Sequence, residues 1–255
     1  MLGAIRSAVR RLVGVTRIPT YYLPWITRPG LRCVLLLNNV ESRFTSARGG
    51  GPFPAAVVQY DARGDIVGRY DAKVPSATEP LELPLDAVAE GYGFVTVDVA
   101  RLQSDLYVTL GDDDAYTATH GRHEFVEAYP PWTRALHAAI GAVATRVDRT
   151  APIFVRHQYV YVGPDDRSYV LLLNLSNVTN RIATTAVAEG VRTGRRLDAL
   201  APHGAVLLDV RALAPARGAA RVLHLRFTGH AWFNLYLVGA GPRDLAGPLS
   251  LMHVK

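Results

Sequence analysis

The sequence predicts an all-β fold: two tandem antiparallel β-sandwich domains that arose by internal duplication. Three observations predict it. VLLLN occurs twice, at 34–38 and 170–174. The features after each copy come in the same order. The apolar stretches are short, often alternate with polar residues, and end in Gly, Pro, Asp or Asn, as strands do. The expected boundaries are a basic amphipathic arm at 1–18, a first sandwich at 19–129, a linker helix at 130–150 and a second sandwich at 151–255.

In the arm, Leu2, Ile5, Val9, Leu12 and Val13 recur at helical spacing, with Arg6, Arg10 and Arg11 among the other positions. This reads as a short basic amphipathic helix. It has three competing uses: a peripheral membrane anchor built on Arg6, Arg10 and Arg11, a docking helix for a partner, or a helix packed on the body. The arginines break any apolar core of a secretory signal, so none is expected. Residues 18–30 hold Pro19, Pro24 and Pro29, which favour extended or edge-strand geometry. Tyr21, Tyr22 and Trp25 in this stretch would either form an exposed platform for sugar rings or pack over the edge of the first sheet.

LRCVLLLNN then reads as a strand buried on both faces. After a Gly-rich loop at 46–54 come strands at 55–61 and 66–74, joined by an ARGD turn. PLELPLDAV, FVTVDVA and DLYVTLG supply three more, and YTATHGRHEFV reads as a single last strand. Strands this short, in about 100 residues, describe a sandwich. WTRALHAAIGAVATRVD, with Leu136, Ile140, Val143 and Val147 at spacings of four, three and four, reads as the linker helix, and Thr133 is placed as its N-cap. The second unit restarts at 153–162 and 168–177 and ends with RVLHLRF, FNLYLVGAG and PLSLMHVK. Four correspondences link the units: the VLLLN strands, LPLDAV with LLDVRAL, DLYVTLG with NLYLVGAG, and Tyr107 to His123 with Tyr236 to His253. An LN-ended strand, a hairpin, then a strand running into an aspartate resembles small bacterial β-sandwich proteins of the sensory rhodopsin transducer family. That resemblance covers some 70 residues per unit. It implies a non-enzymatic, oligomeric binding or signalling module.

Composition bounds the function. Hydrophobic residues at 49% against 20% charged describe a folded chain. No apolar run approaches the roughly 20 residues of a spanning helix. One cysteine, Cys33, excludes a disulfide framework. The net charge of +6 equals the six arginines of residues 1–32, which leaves 22 basic against 22 acidic residues elsewhere. An evenly charged body argues against nucleic acid as a partner.

The best constellation for chemistry is His120, His123 and Glu124, with His253 at the matching place of the second unit. A metal needs such groups to converge, yet in one strand His120 and His123 point to opposite faces unless Gly121 bends the chain. Asp112 to Asp114 reads as a hairpin turn, and His157, His224 and His230 as isolated structural histidines. No phosphate loop, dinucleotide fingerprint or nucleophile elbow is present, and no cofactor is expected beyond that candidate metal. The leading reading is therefore a cytoplasmic, non-catalytic binding or assembly module. It would hold a protein partner or a carbohydrate through Tyr21, Tyr22, Trp25, Trp232 and Phe233, and it would form a homo-oligomer through its edge strands. The runner-up is a metal-dependent hydrolase using His120, His123 and Glu124; the third reading is a peripheral membrane protein held by the arm.

Overall fold

The structure, a computed structural model, describes residues 14–38, 52–75, 80–99, 106–113, 115–146, 153–163, 167–213, 221–241 and 243–253. The segment expected to form a basic helix, with Arg6, Arg10 and Arg11, and most of the Gly-rich loop lie outside them.

The described chain is an all-β protein of four antiparallel sheets with one α-helix. The first sheet runs β4 (Ile66–Val74), β3 (Phe53–Asp61), β6 (Gly91–Val99), β1 (Thr16–Thr27) and β9 (Arg122–Ala128). Its partner sheet runs β5 (Leu81–Pro84), β2 (Arg32–Leu37), β7 (Leu106–Gly111) and β8 (Tyr116–His120). In the second half, one sheet runs β13 (Val191–Leu200), β12 (Asn180–Ala188), β15 (Arg221–Gly229) and β10 (Phe154–Val162). The other runs β14 (Ala205–Asp209), β11 (Arg167–Asn174), β16 (Phe233–Ala240) and β17 (Leu249–His253). Strand for strand, the second order repeats the first; β9 has no counterpart.

The register of the repeat differs from the one the sequence suggests. Leu106 and Leu235 both point into their own sandwich, next to Tyr107 and Tyr236 on the other face. Leu106 pairs with Leu37, whereas Leu235 pairs with Leu172. The two VLLLN copies are thus one residue out of step, and a one-residue slip turns every side chain to the opposite face. In the first copy Leu35 and Leu37 fill the sandwich while Val34 and Leu36 are half-buried, so this strand is not buried on both faces. In the second, Val170 and Leu172 fill it, and Leu171 and Leu173 join Tyr236, Val238 and Leu251 in the first unit's core. The expected match of His123 to His253 is likewise corrected. Tyr107 pairs with His120 and Tyr236 with His253, so His120 is the counterpart.

Other local expectations also change. β1 accommodates its prolines because Pro19 pairs only with β9 and Pro24 only with β6; the side without an N–H donor has no ladder to break. YTATHGRHEFV is two strands in two sheets, split at Gly121, whose N–H donates to the Leu106 carbonyl at 2.7 Å. The helix, α1 (Pro131–Arg146), starts with proline at its first position. Thr133 lies inside it, its hydroxyl donating back to the Pro130 carbonyl at 2.9 Å, so Thr133 is not the N-cap. Among the helix residues whose side chains are described, Thr133 and His137 turn inward, while Leu136 is exposed.

The halves are joined through backbone as well as side chains. The Glu127 N–H donates to the Leu175 carbonyl (2.9 Å), and the Asn177 N–H donates to that of Glu127 (3.2 Å). The 61–65 turn meets the 201–205 segment, where the Ala205 N–H donates to the Ala62 carbonyl at 3.0 Å and Tyr60 stacks on His203. Buried Glu127 accepts from Tyr129 Oη at 2.8 Å and from the Trp232 N–H at 3.3 Å, with Arg17 at 3.5 Å.

Candidate functional site: an aromatic and basic sheet face

Strand alternation sends Val160, Leu223, Leu225, Phe227, Ile182 and Ala186 into the second core. The same alternation turns the intervening residues of β10, β15, β12 and β13 outward. Register places them in rows. Tyr161 sits opposite Val222; Tyr159 opposite His224, then Val187 and Arg192; His157 opposite Arg226, then Thr185 and Arg195. Arg181 lies farther along β12, on the same side. Among these described positions there is no carboxylate and no side-chain amide.

The centre of the face is a ladder of rings. His157 Nδ1 lies 2.9 Å from His224 Nε2, with the two rings within 13° of parallel. Tyr159 stacks on the other imidazole at 4.7 Å and 20°. Tyr159 is 65% exposed, Tyr161 59% and Val222 55%. The pKa of His157 is lowered, by desolvation first and then by repulsion from His224 and Arg226. The face can therefore stack on planar groups and pair with anions. It adds positive charge as His157 protonates.

The body's even charge conceals a separation of sign. Residues 33–152 hold 10 Lys and Arg against 16 Asp and Glu, and residues 153–255 hold 12 against 6. The corresponding first-unit sheet is mixed where this one is uniformly basic. Beside Ala56 and Val58 it carries Arg69 and Lys73, but also Asp71 and Asp98.

The aromatic residues expected to bind are mostly core residues. Tyr21, Tyr22, Trp25 and Phe233 are 4% exposed or less. The Trp25 indole N–H donates to the Tyr60 carbonyl at 2.9 Å, and Tyr22 bonds to Asn234 and Glu124. Trp232 is half-buried between Phe125 and Phe154, with Arg156 over its ring at 4.7 Å. Tyr22 and Trp232 bridge the halves, and Tyr21, Trp25 and Phe233 pack within the cores, so they form no exposed platform.

The expected metal cluster is not assembled. His120 and His123 belong to different sheets. His123 lies against Tyr21, and Glu124 is held by Arg122 at 2.5 Å and by Arg156 at 4.0 Å. The His253 side chain lies outside the described residues. Among those described, no group of three or more His, Cys, Asp or Glu is placed to hold a metal ion. His157 and His224 are not isolated as expected but touch. Buried Cys33 has its thiol pushed up to about 12 by desolvation, which keeps it unreactive. No described helix is long and apolar enough to cross a membrane.

Sequence reasoning missed Tyr159, Tyr161, His157, His224 and Arg226. A signal was present in HQYVYV, where polar and aromatic residues alternate on one side of a strand. Its partner RVLHLR lies 64 residues later, so only pairing shows that the two form one surface.

Fold and site together define an all-β protein of two like-ordered sandwiches that displays an aromatic, basic sheet face. No protein-family model matches the sequence, and the comparison with curated proteins likewise gives no match.

Proposed function

We propose that the protein is a non-catalytic binding module that holds an anionic partner on the outer face of β10, β15, β12 and β13. One observation carries this reading: an open sheet surface with four arginines, two touching histidines and two exposed tyrosines, and no carboxylate among its described residues. A structural face is commonly interleaved with acids, as the corresponding first-unit sheet is. A neutral carbohydrate is the poorer candidate, because sugar hydroxyls are held by carboxylates and amides that this face lacks. The matched strand orders favour origin by duplication, with the second copy specialised for binding. The protein is taken to act in the cytoplasm, where Cys33 stays reduced.

Retention on a heparin surface at low salt tests the reading. The Arg192→Ala/Arg226→Ala double variant is expected to elute at clearly lower salt than wild type, and Arg69→Ala/Lys73→Ala to behave as wild type. Equal elution of all three would remove the sheet face from the function.

A further inference from the structure

We infer that the anionic partner is a single-stranded nucleic acid; this rests on the anionic-partner reading above and narrows it. Every base presents a π-face and every nucleotide a phosphate. A surface that pairs stacking rings with arginines fits that combination without reading sequence. Here Tyr159 and Tyr161 stand two residues apart on one strand, about 6.7 Å along it. That is about twice the 3.4 Å spacing of nucleotides in a stacked strand, so the rings suit alternate or splayed bases.

Arg226 lies one row from Tyr159 on the neighbouring strand, and Arg192 and Arg195 flank it across β12. Phosphates can thus reach cations on the side of the rings away from β10's open edge. The imidazole of His224 backs Tyr159 and fixes its ring. The surface is a broad sheet, with no described helix or two-stranded ribbon rising from it to enter a duplex groove. The unpaired strand is therefore the better fit. The chain's own arm is a poor occupant, because residues 1–32 contain arginines and no acid.

The test uses the full chain and fluorescence anisotropy with a labelled oligonucleotide of about 12 nucleotides, within the site sizes usual for such surfaces. Unlabelled duplex and heparin serve as competitors. The single strand is expected to bind with a slope of log K on log salt near −3 if all four arginines meet phosphates. Tyr159→Ala and Tyr161→Ala should each weaken it roughly tenfold and weaken heparin binding far less, because heparin has no base to stack. Arg226→Ala should weaken both. Tyr159→Leu, which preserves bulk, guards against misfolding and should behave like Tyr159→Ala. If heparin and oligonucleotide bind alike and the tyrosine variants separate nothing, or if duplex binds better than single strand, nucleic acid is refuted and the anion-binding face stands. If neither polymer binds, both readings fall.

Discussion

Gly64 offers a sharp test of how the two halves are held. It sits in the turn between β3 and β4 with φ of +85°, and a Cβ built on it would lie 1.9 Å from the Pro202 carbonyl oxygen. Gly64→Ala therefore does two things. The left-handed backbone costs an L-residue about 1 kcal/mol. The overlap is with backbone, so the 61–65 turn must move away by about 1.5 Å to reach an ordinary contact of 3.4 Å. That movement breaks the Ala205–Ala62 hydrogen bond, worth about 1 kcal/mol, and separates Tyr60 from His203, worth about another 1 kcal/mol. The expected loss is roughly 3 kcal/mol, or a fall in Tm of about 6–12 °C in a chain of this size. Gly30→Ala is the control: its φ is +81°, but nothing lies within 4 Å of the added Cβ, so only the backbone cost of about 1 kcal/mol applies. Urea unfolding of both variants measures the difference. Equal losses would mean that the turn does not bear on Pro202, and the contact between the halves would need a different account.

Three further outcomes follow from the same geometry. Tyr22→Phe removes the hydroxyl shared with Asn234 and Glu124 and leaves both partners short of a bond in a buried setting, so urea unfolding should show a loss of about 1–3 kcal/mol. His137 is lowered to about 4 by burial and by neighbouring His230, which burial lowers too. A histidine held neutral in the folded state contributes nothing above its unfolded value near 6.5 and destabilises as pH falls through 6.5 toward 4, at up to about 1.4 kcal/mol per pH unit. His137→Leu should flatten that stretch of a stability-against-pH curve, and an unchanged slope would count against burial as the cause. On the sheet face, His157 gains its charge only below its ordinary value, because its pKa is lowered. Polyanion binding should therefore tighten as pH falls below about 6.5, and less so in His157→Ala.

The sequence by itself determined the all-β class and most of the strands. Those depend on local alternation and turn chemistry, which lie within a few residues of each other. IVGRYDAKV is a strand from its first residue to its last, as read. The helix begins at Pro131, inside the expected 130–150 segment but ahead of the Thr133 cap expected for it. Neighbouring residues do not fix which face of a strand is covered from outside. The paired VLLLN strings looked equivalent, yet a one-residue slip buries both faces in the second copy and leaves one half-exposed in the first.

Only the tertiary structure decided the site. Tyr21, Tyr22 and Trp25 have the composition of a binding platform and Tyr159 and Tyr161 that of an ordinary strand, but packing buries the first three and exposes the other two. Sheet pairing over 67 residues brings His157 against His224. A chain-wide charge balance hid the basic face, because charge acts through its position on a surface. Strand pairing set that position by bringing together arginines that lie far apart in the chain.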